Sequence, residues 1–311
     1  EGELVFSRDS ALTGDLRNTT NGNIRVLADL DAADFNVMNS GNFVVGAAGD
    51  PGRLHGVEAL DNSGQFTINS GSSVEAGATL SRDGGLMRIG GTLTSTLENR
   101  SGSTVRMAGG RIVGDVANDG EFGGSGRISG ALTNDGSVVL TADEQLGVSG
   151  LVTNNAQMNV AGTLTGSVLN NDTLSGSGTI SRRVENRGDL VWSGTIGGNL
   201  VNYGDAQIRN QVGGQLVNHG KVTLSGDLTA GGTVFNMAAG DDGNASEMTV
   251  ADGQTLTASR GVVNQTGAQL TNGGRIVGDL TNRGIYNQNG VLRGNLLTTD
   301  RKSTRLNSSH V

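Results

Sequence analysis

The sequence predicts an all-β fold, a right-handed parallel β-helix (β-solenoid) of about 15 short coils with a repeat of about 16–20 residues. Three observations lead there. A 16-residue unit recurs, apolar residues alternate with a period of two inside it, and the composition is too poor in large side chains for one compact core. Of 311 residues, 53 are Gly, one is Pro, and aromatics make up 3%. No Gly-x-y triplet period runs through the chain, which excludes collagen.

The repeat is clearest from Thr163. TLTGSVLNNDTLSGSG, TISRRVENRGDLVWSG, TIGGNLVNYGDAQIRN and QVGGQLVNHGKVTLSG follow one another without a gap, and RIVGDLTNRGIYNQNG returns at Arg275. The consensus is an aliphatic residue and Gly, then Leu/Val-x-Asn-x-Gly, then an alternating apolar pair. The Asn marks each unit: Asn39, Asn62, Asn99, Asn118, Asn134, Asn154, Asn170, Asn186, Asn202, Asn218, Asn236, Asn264 and Asn282. The phase puts Arg82 in this column between Asn62 and Asn99. Ahead of Asn39, Asn21-Gly22 reads as an earlier copy.

Inside a unit, Leu190/Trp192, Ala206/Ile208 and Val222/Leu224 alternate with strand period. Gly and Asn punctuate each run as turns require. Each unit therefore yields two or three short strands and no helix. A period of 16 is too short for a propeller blade and suits one solenoid coil. Stacking then aligns Ile180, Ile196 and Val212 in one core column and Val184, Leu200 and Leu216 in another. The recurring Asn is expected to tolerate left-handed geometry at a corner and to stack its amide on the next coil. The Gly two residues on provides a positive φ or a close approach.

Residues 1–299 read as one continuous solenoid, with a loop insertion near 238–247. Residues 300–311 match no unit and resemble the translation of a sequencing adapter, so they are set apart as a non-native or disordered tail. The start at Glu1, without Met or a leader, gives the chain the look of a fragment.

The units LVNYGDAQI, LVNHGKVTL, LTNRGIYNQ and LDNSGQFTI resemble the β-helical stalks of bacterial autotransporter passengers and are similar to filamentous haemagglutinin-type adhesins, over about residues 15–297. The resemblance implies export across the outer membrane of a Gram-negative cell, presentation at the cell surface and a role in adhesion. Partners would be a host or cell-surface protein or glycan, and a cognate outer-membrane translocator barrel lying outside this chain. The expected assembly state is a monomer, with end-to-end association open to terminal strands.

Composition narrows the chemistry. A net charge of −8 disfavours nucleic acid, and the absence of Cys excludes thiolate metal sites and thiol nucleophiles. No Gly-x-Ser-x-Gly elbow occurs, and Ser125, Ser149 and Ser177 read as turn residues. His55 reads as a loop residue near Pro51, and neither it nor His219 has metal-ligand spacing. The expectation is a non-enzymatic structural or adhesive stalk, with no catalytic residue and no cofactor.

The alternatives are a carbohydrate-active β-helix enzyme, or the inert stalk of a larger exoprotein. For the enzyme, Asp189 and Asp205 fall in adjacent coils with Lys221 next in the same column. The neighbouring column, Arg187, Tyr203 and His219, offers stacking or a small sugar-contact patch. Arg187-Gly188-Asp189 spells an integrin-recognition tripeptide, the candidate adhesion residues, although it lies in a tight corner. Asp241, Asp242, Asn244 and Glu247 form an oxygen-rich candidate for a Ca²⁺ site, without EF-hand spacing.

Overall fold

A computed structural model describes residues 2–238 and 245–299. Among them there is no helix; the strands form a parallel β-solenoid of about 16 turns, with successive coils about 18 residues apart. The chain divides into two compact units, Glu1–Gly166 and Ser167–Val311. The tail at 300–311 lies outside the described residues.

In the first unit a core column runs through Phe43, Phe66, Met87, Val105, Phe122 and Val138, in parallel register and buried throughout. The rings of Phe43 and Phe66 stack at 4.9 Å and 19°. In the second unit the equivalent column is Leu174, Leu190, Ala206, Val222, Met248, Leu270 and Tyr286. The expected columns Ile180–Ile196–Val212 and Val184–Leu200–Leu216 are both in register and buried. Each such side chain contributes roughly 1.5–3 kcal/mol by leaving water. Trp192, the single tryptophan, is buried between Gly176 and Ile208 of the adjoining coils.

The recurring Asn residues face inward and are buried. In the second unit Asn170 Nδ2 donates to Asn186 Oδ1 at 2.7 Å, Asn186 to Asn202 at 2.8 Å, and Asn202 to Asn218 at 2.9 Å. The series continues to Asn236, Asn264 and Asn282. The same NH₂ group also reaches two backbone carbonyls. Asn202 Nδ2 lies 2.8 Å from Gly204 O in its own coil and 3.0 Å from Lys221 O in the next. One amide thus bonds its neighbour's side chain and adds a share of a second donor to two backbone carbonyls.

The reason for Asn differs from the left-handed corner expected. None of the ladder residues has positive φ; among the described non-glycine residues only Ala33, Asp34, Asp83 and Asn210 do. The selecting property is the paired donor and acceptor of the amide. Likewise the Gly two residues after Asn is required for approach rather than φ. At Gly188, Gly204 and Gly220 a Cβ would collide with a carbonyl oxygen of the preceding coil.

Two register assignments need correction. The column position between Asn62 and Asn99 is Ser81, not Arg82. Arg82 points outward and pairs with Asp61. The column begins at Asn18, which pairs with Asn39 and donates to it at 2.8 Å, rather than at Asn21. Ser81 is too short to continue the ladder, and its Oγ finds no partner among the described residues. The gap is filled from the other side: Ser103 Oγ donates to Asn99 Oδ1 at 2.7 Å.

Replacing Asn202 by Ala removes the acceptor for Asn186 and the donor for Asn218, both buried. A loss of at least about 2 kcal/mol is expected, read as a lower urea midpoint. A midpoint equal to the parent's would show that the ladder does not hold the coils together.

Tyr286 offers a second test. Burial raises its phenol above the ordinary value, against a lowering hydrogen bond from Asn272. Below about pH 10 both folded and unfolded chains keep the proton and the contribution is complete. Above that, the unfolded chain releases the proton first and binds fewer protons, so stability falls as pH rises. Urea midpoints at about pH 8 and about pH 11 should converge less for the parent than for Tyr286→Phe. An identical alkaline decline in both proteins would remove Tyr286 from the account.

Candidate functional site

The Leu/Val-x-Asn-x-Gly-x sequence that builds each coil corner also builds a groove on the outside. The residue after Asn projects as one wall, the Gly forms a floor without side chains, and the next residue begins the following strand as the other wall. In the second unit this arrangement encloses a trough of about 540 Å³. Its floor is Gly188, Gly204 and Gly220. One wall is Arg187, Tyr203 and His219, and the other is Asp189, Asp205, Lys221 and Glu247.

Strand register fixes these walls. Asp189 pairs with Asp205, Asp205 with Lys221, and Lys221 with Glu247. The spacing along the wall is therefore the strand spacing, about 4.8 Å. The rings of Tyr203 and His219 stack at 4.8 Å and 11°, one coil apart. Arg187 is engaged by Glu185: its Nε and Nη2 donate to Glu185 Oε1 at 3.0 and 2.8 Å, and Arg183 holds the other oxygen of Glu185. Asp189, Asp205 and Lys221 make no side-chain hydrogen bond or ion pair with another described residue, and all are exposed. Three carboxylates and one ammonium thus face solvent along one wall.

The first unit has the same groove with different chemistry. Gly120 and Gly136 floor a trough of about 410 Å³ lined by Asp119, Glu121, Ser137 and Gln157. It has no aromatic wall. Beside it, Asn155 Nδ2 donates to Asp135 Oδ1 at 2.9 Å, so that part of the ridge is satisfied internally.

The candidate adhesion tripeptide lies in the trough. Arg187 is held by Glu185. Gly188 accepts from Asn186 Nδ2 at 2.8 Å and packs on Asp172. Asp189 opens a strand. Of the oxygen-rich segment, Asp241, Asp242 and Asn244 lie outside the described residues. Glu247 starts a strand between Lys221 and Gln269. Among the described residues no group of three or more His, Cys, Asp or Glu is arranged to hold a metal ion.

His55 is a strand residue, within Arg53–Asn62, and not the loop residue expected. Register places it between two carboxylates of the preceding coil, with Nε2 2.9 Å from Asp29 Oδ1 and Nδ1 3.8 Å from Asp31 Oδ1. Spacing along the chain hides this triplet, because a whole coil separates its members; counting by register finds it. Comparison with family models, with curated proteins and with solved structures found no match.

The floor can be tested directly. Gly204→Ala would drive a Cβ into Gly188 O, which is backbone and cannot yield, at a cost of about 1–3 kcal/mol. Gly147→Ala meets nothing nearer than 3.7 Å and should stay within about 0.5 kcal/mol of the parent. Equal urea midpoints for the two variants would contradict the close-approach role of the floor glycines.

Proposed function

We propose that the chain is part of the stalk of a secreted bacterial surface protein, an adhesin-type passenger, and that its contact with a target is made at the trough of the second unit, without catalysis. The observation that supports this is the division of labour within each coil. Interior positions repeat Asn, Leu, Ile and Val, whereas the outward wall changes from Arg187 to Tyr203 to His219 in successive coils. A lattice whose register is set internally is free to vary its exterior for recognition. The partner is a host or cell-surface protein or glycan, and export through a cognate outer-membrane barrel follows from the stalk resemblance.

A second reading, a polysaccharide lyase or hydrolase, has one observation on its side. Asp189 and Asp205 stand one strand spacing apart, about 5 Å, close to the carboxylate separation of retaining glycosidases. Against it, both carboxylates belong to one wall and do not flank a bond between them.

Beads carrying the purified chain should be retained on epithelial cell layers several-fold better than albumin-coated beads. Equal retention would reject the adhesive role. Soluble Arg-Gly-Asp peptide should not release them, since Arg187 is tied to Glu185 and Gly188 is packed on the coil below. Release would move the contact to the tripeptide.

A further inference from the structure

We propose that the trough of the second unit takes an extended, uncharged glycan of the β-1,4-linked kind and holds it without cleaving it, about one sugar ring per coil. This rests on the binding role proposed above and supplies its ligand class.

Tyr203 is the starting point. It is 47% exposed and is the one aromatic side chain among the exposed large hydrophobic residues described. Aromatics are 3% of the chain, and the core can use them, as Trp192, Phe43 and Phe66 show. Tyr203 instead lies on the outside, stacked on His219, and Arg187 in the same wall is engaged by Glu185. An exposed ring braced on one face is a platform for the apolar face of a sugar.

The opposite wall supplies the polar half. Asp189 and Asp205 are exposed carboxylates with no side-chain partner among the described residues. A carboxylate accepts two hydrogen bonds side by side, which suits vicinal hydroxyls, and such charge-assisted bonds are the strong ones. Lys221 offers a donor one coil further on.

Spacing selects the ligand shape. The wall repeats at about 4.8 Å, close to the length of one pyranose ring in an extended β-1,4 chain. An extended peptide advances about 3.4 Å per residue and falls out of step with the coils. Strand addition is closed as well, because the corner carbonyls are already engaged. Asp205 N donates to Gly188 O at 3.1 Å, Lys221 N to Gly204 O at 3.0 Å, and Glu247 N to Gly220 O at 2.9 Å. Charge selects against acidic ligands. Three carboxylates face one ammonium on the wall, and the Arg187 guanidinium is engaged by Glu185, which it shares with Arg183. Nucleic acids and uronate-rich glycans are therefore repelled.

The test is calorimetric titration of the full chain with cellohexaose and N-acetylated chitohexaose, with a hyaluronan octasaccharide and octalysine as contrasts. Saturable binding to at least one neutral glycan is expected, above that of either contrast. Tyr203→Ala and Asp205→Asn should each weaken it about tenfold or more with unaltered urea midpoints. Asp119→Ala, in the first unit's trough, should leave it unchanged. The proposal fails if neither neutral glycan binds, if hyaluronan or octalysine binds better, if both trough variants bind as the parent does, or if new reducing ends appear. Beads that hold to cells while the chain ignores both glycans would preserve the surface role and remove this ligand. Glycan binding without bead retention would do the reverse.

Discussion

The amide ladder is the constraint on which the rest depends. An Asn buried without partners would cost several kcal/mol, so each coil that places one inside must find it a neighbour. The neighbour is the same residue one coil away, and it is satisfied only when the two coils stand at strand spacing and in register. Because side chains alternate across a strand, a slip of one residue would turn the Asn outward and carry an apolar residue out with it. The ladder therefore acts as a register device as well as a set of bonds. The glycines answer a separate constraint. The amide also reaches the carbonyl two residues on at Ala156 and Asp172, so that bond alone does not demand Gly; at Gly188, Gly204 and Gly220 the carbonyl of the preceding coil leaves no space for a Cβ.

The trough is a by-product of the same geometry. Where consecutive coils place Gly two residues after the Asn, between two positions that face outward, the bare floor makes a groove. Both units have one. What distinguishes the second is its aromatic pair on one side, facing three carboxylates and an ammonium on the other. The first unit's trough is lined by Asp119, Glu121, Ser137 and Gln157 with no aromatic among them, and beside it Asn155 bonds to Asp135. The groove comes from the fold, and its chemistry comes from residues the fold does not specify.

This difference decides what can be read from the sequence. The core columns Ile180–Ile196–Val212 and Val184–Leu200–Leu216, and the outward row Asp189–Asp205–Lys221, were legible because units of constant length keep count for themselves. Counting fails where lengths vary. The strand Ser73–Ser81 shifts register against both of its neighbours, which displaced the expected column position from Ser81 to Arg82. The first coils are longer still, and there the count points to Asn21 where the column holds Asn18, and to a loop where His55 lies in a strand. The two walls were each visible as columns, but nothing in a one-dimensional repeat says that columns on either side of a Gly enclose a single space. Nor could spacing foresee that Glu185 would engage Arg187.

The ordering of charge along the trough wall carries a last implication. Two carboxylates one strand apart repel, and an interior position would not tolerate them. At the exposed wall, solvent and salt screen the pair, so its cost to the fold is small. Lys221 sits in register with both Asp205 and Glu247 yet closes no ion pair with a described residue, so the fold does not consume its charge. A wall arranged only for stability would pair these groups, as Arg183 and Arg187 pair with Glu185 close by. The contrast within two neighbouring coils separates residues engaged in holding the surface together from residues whose polar groups stay open to solvent. In the proposed binding role the open set, Tyr203, Asp189, Asp205 and Lys221, forms the recognition surface, and the arginine of the tripeptide does not.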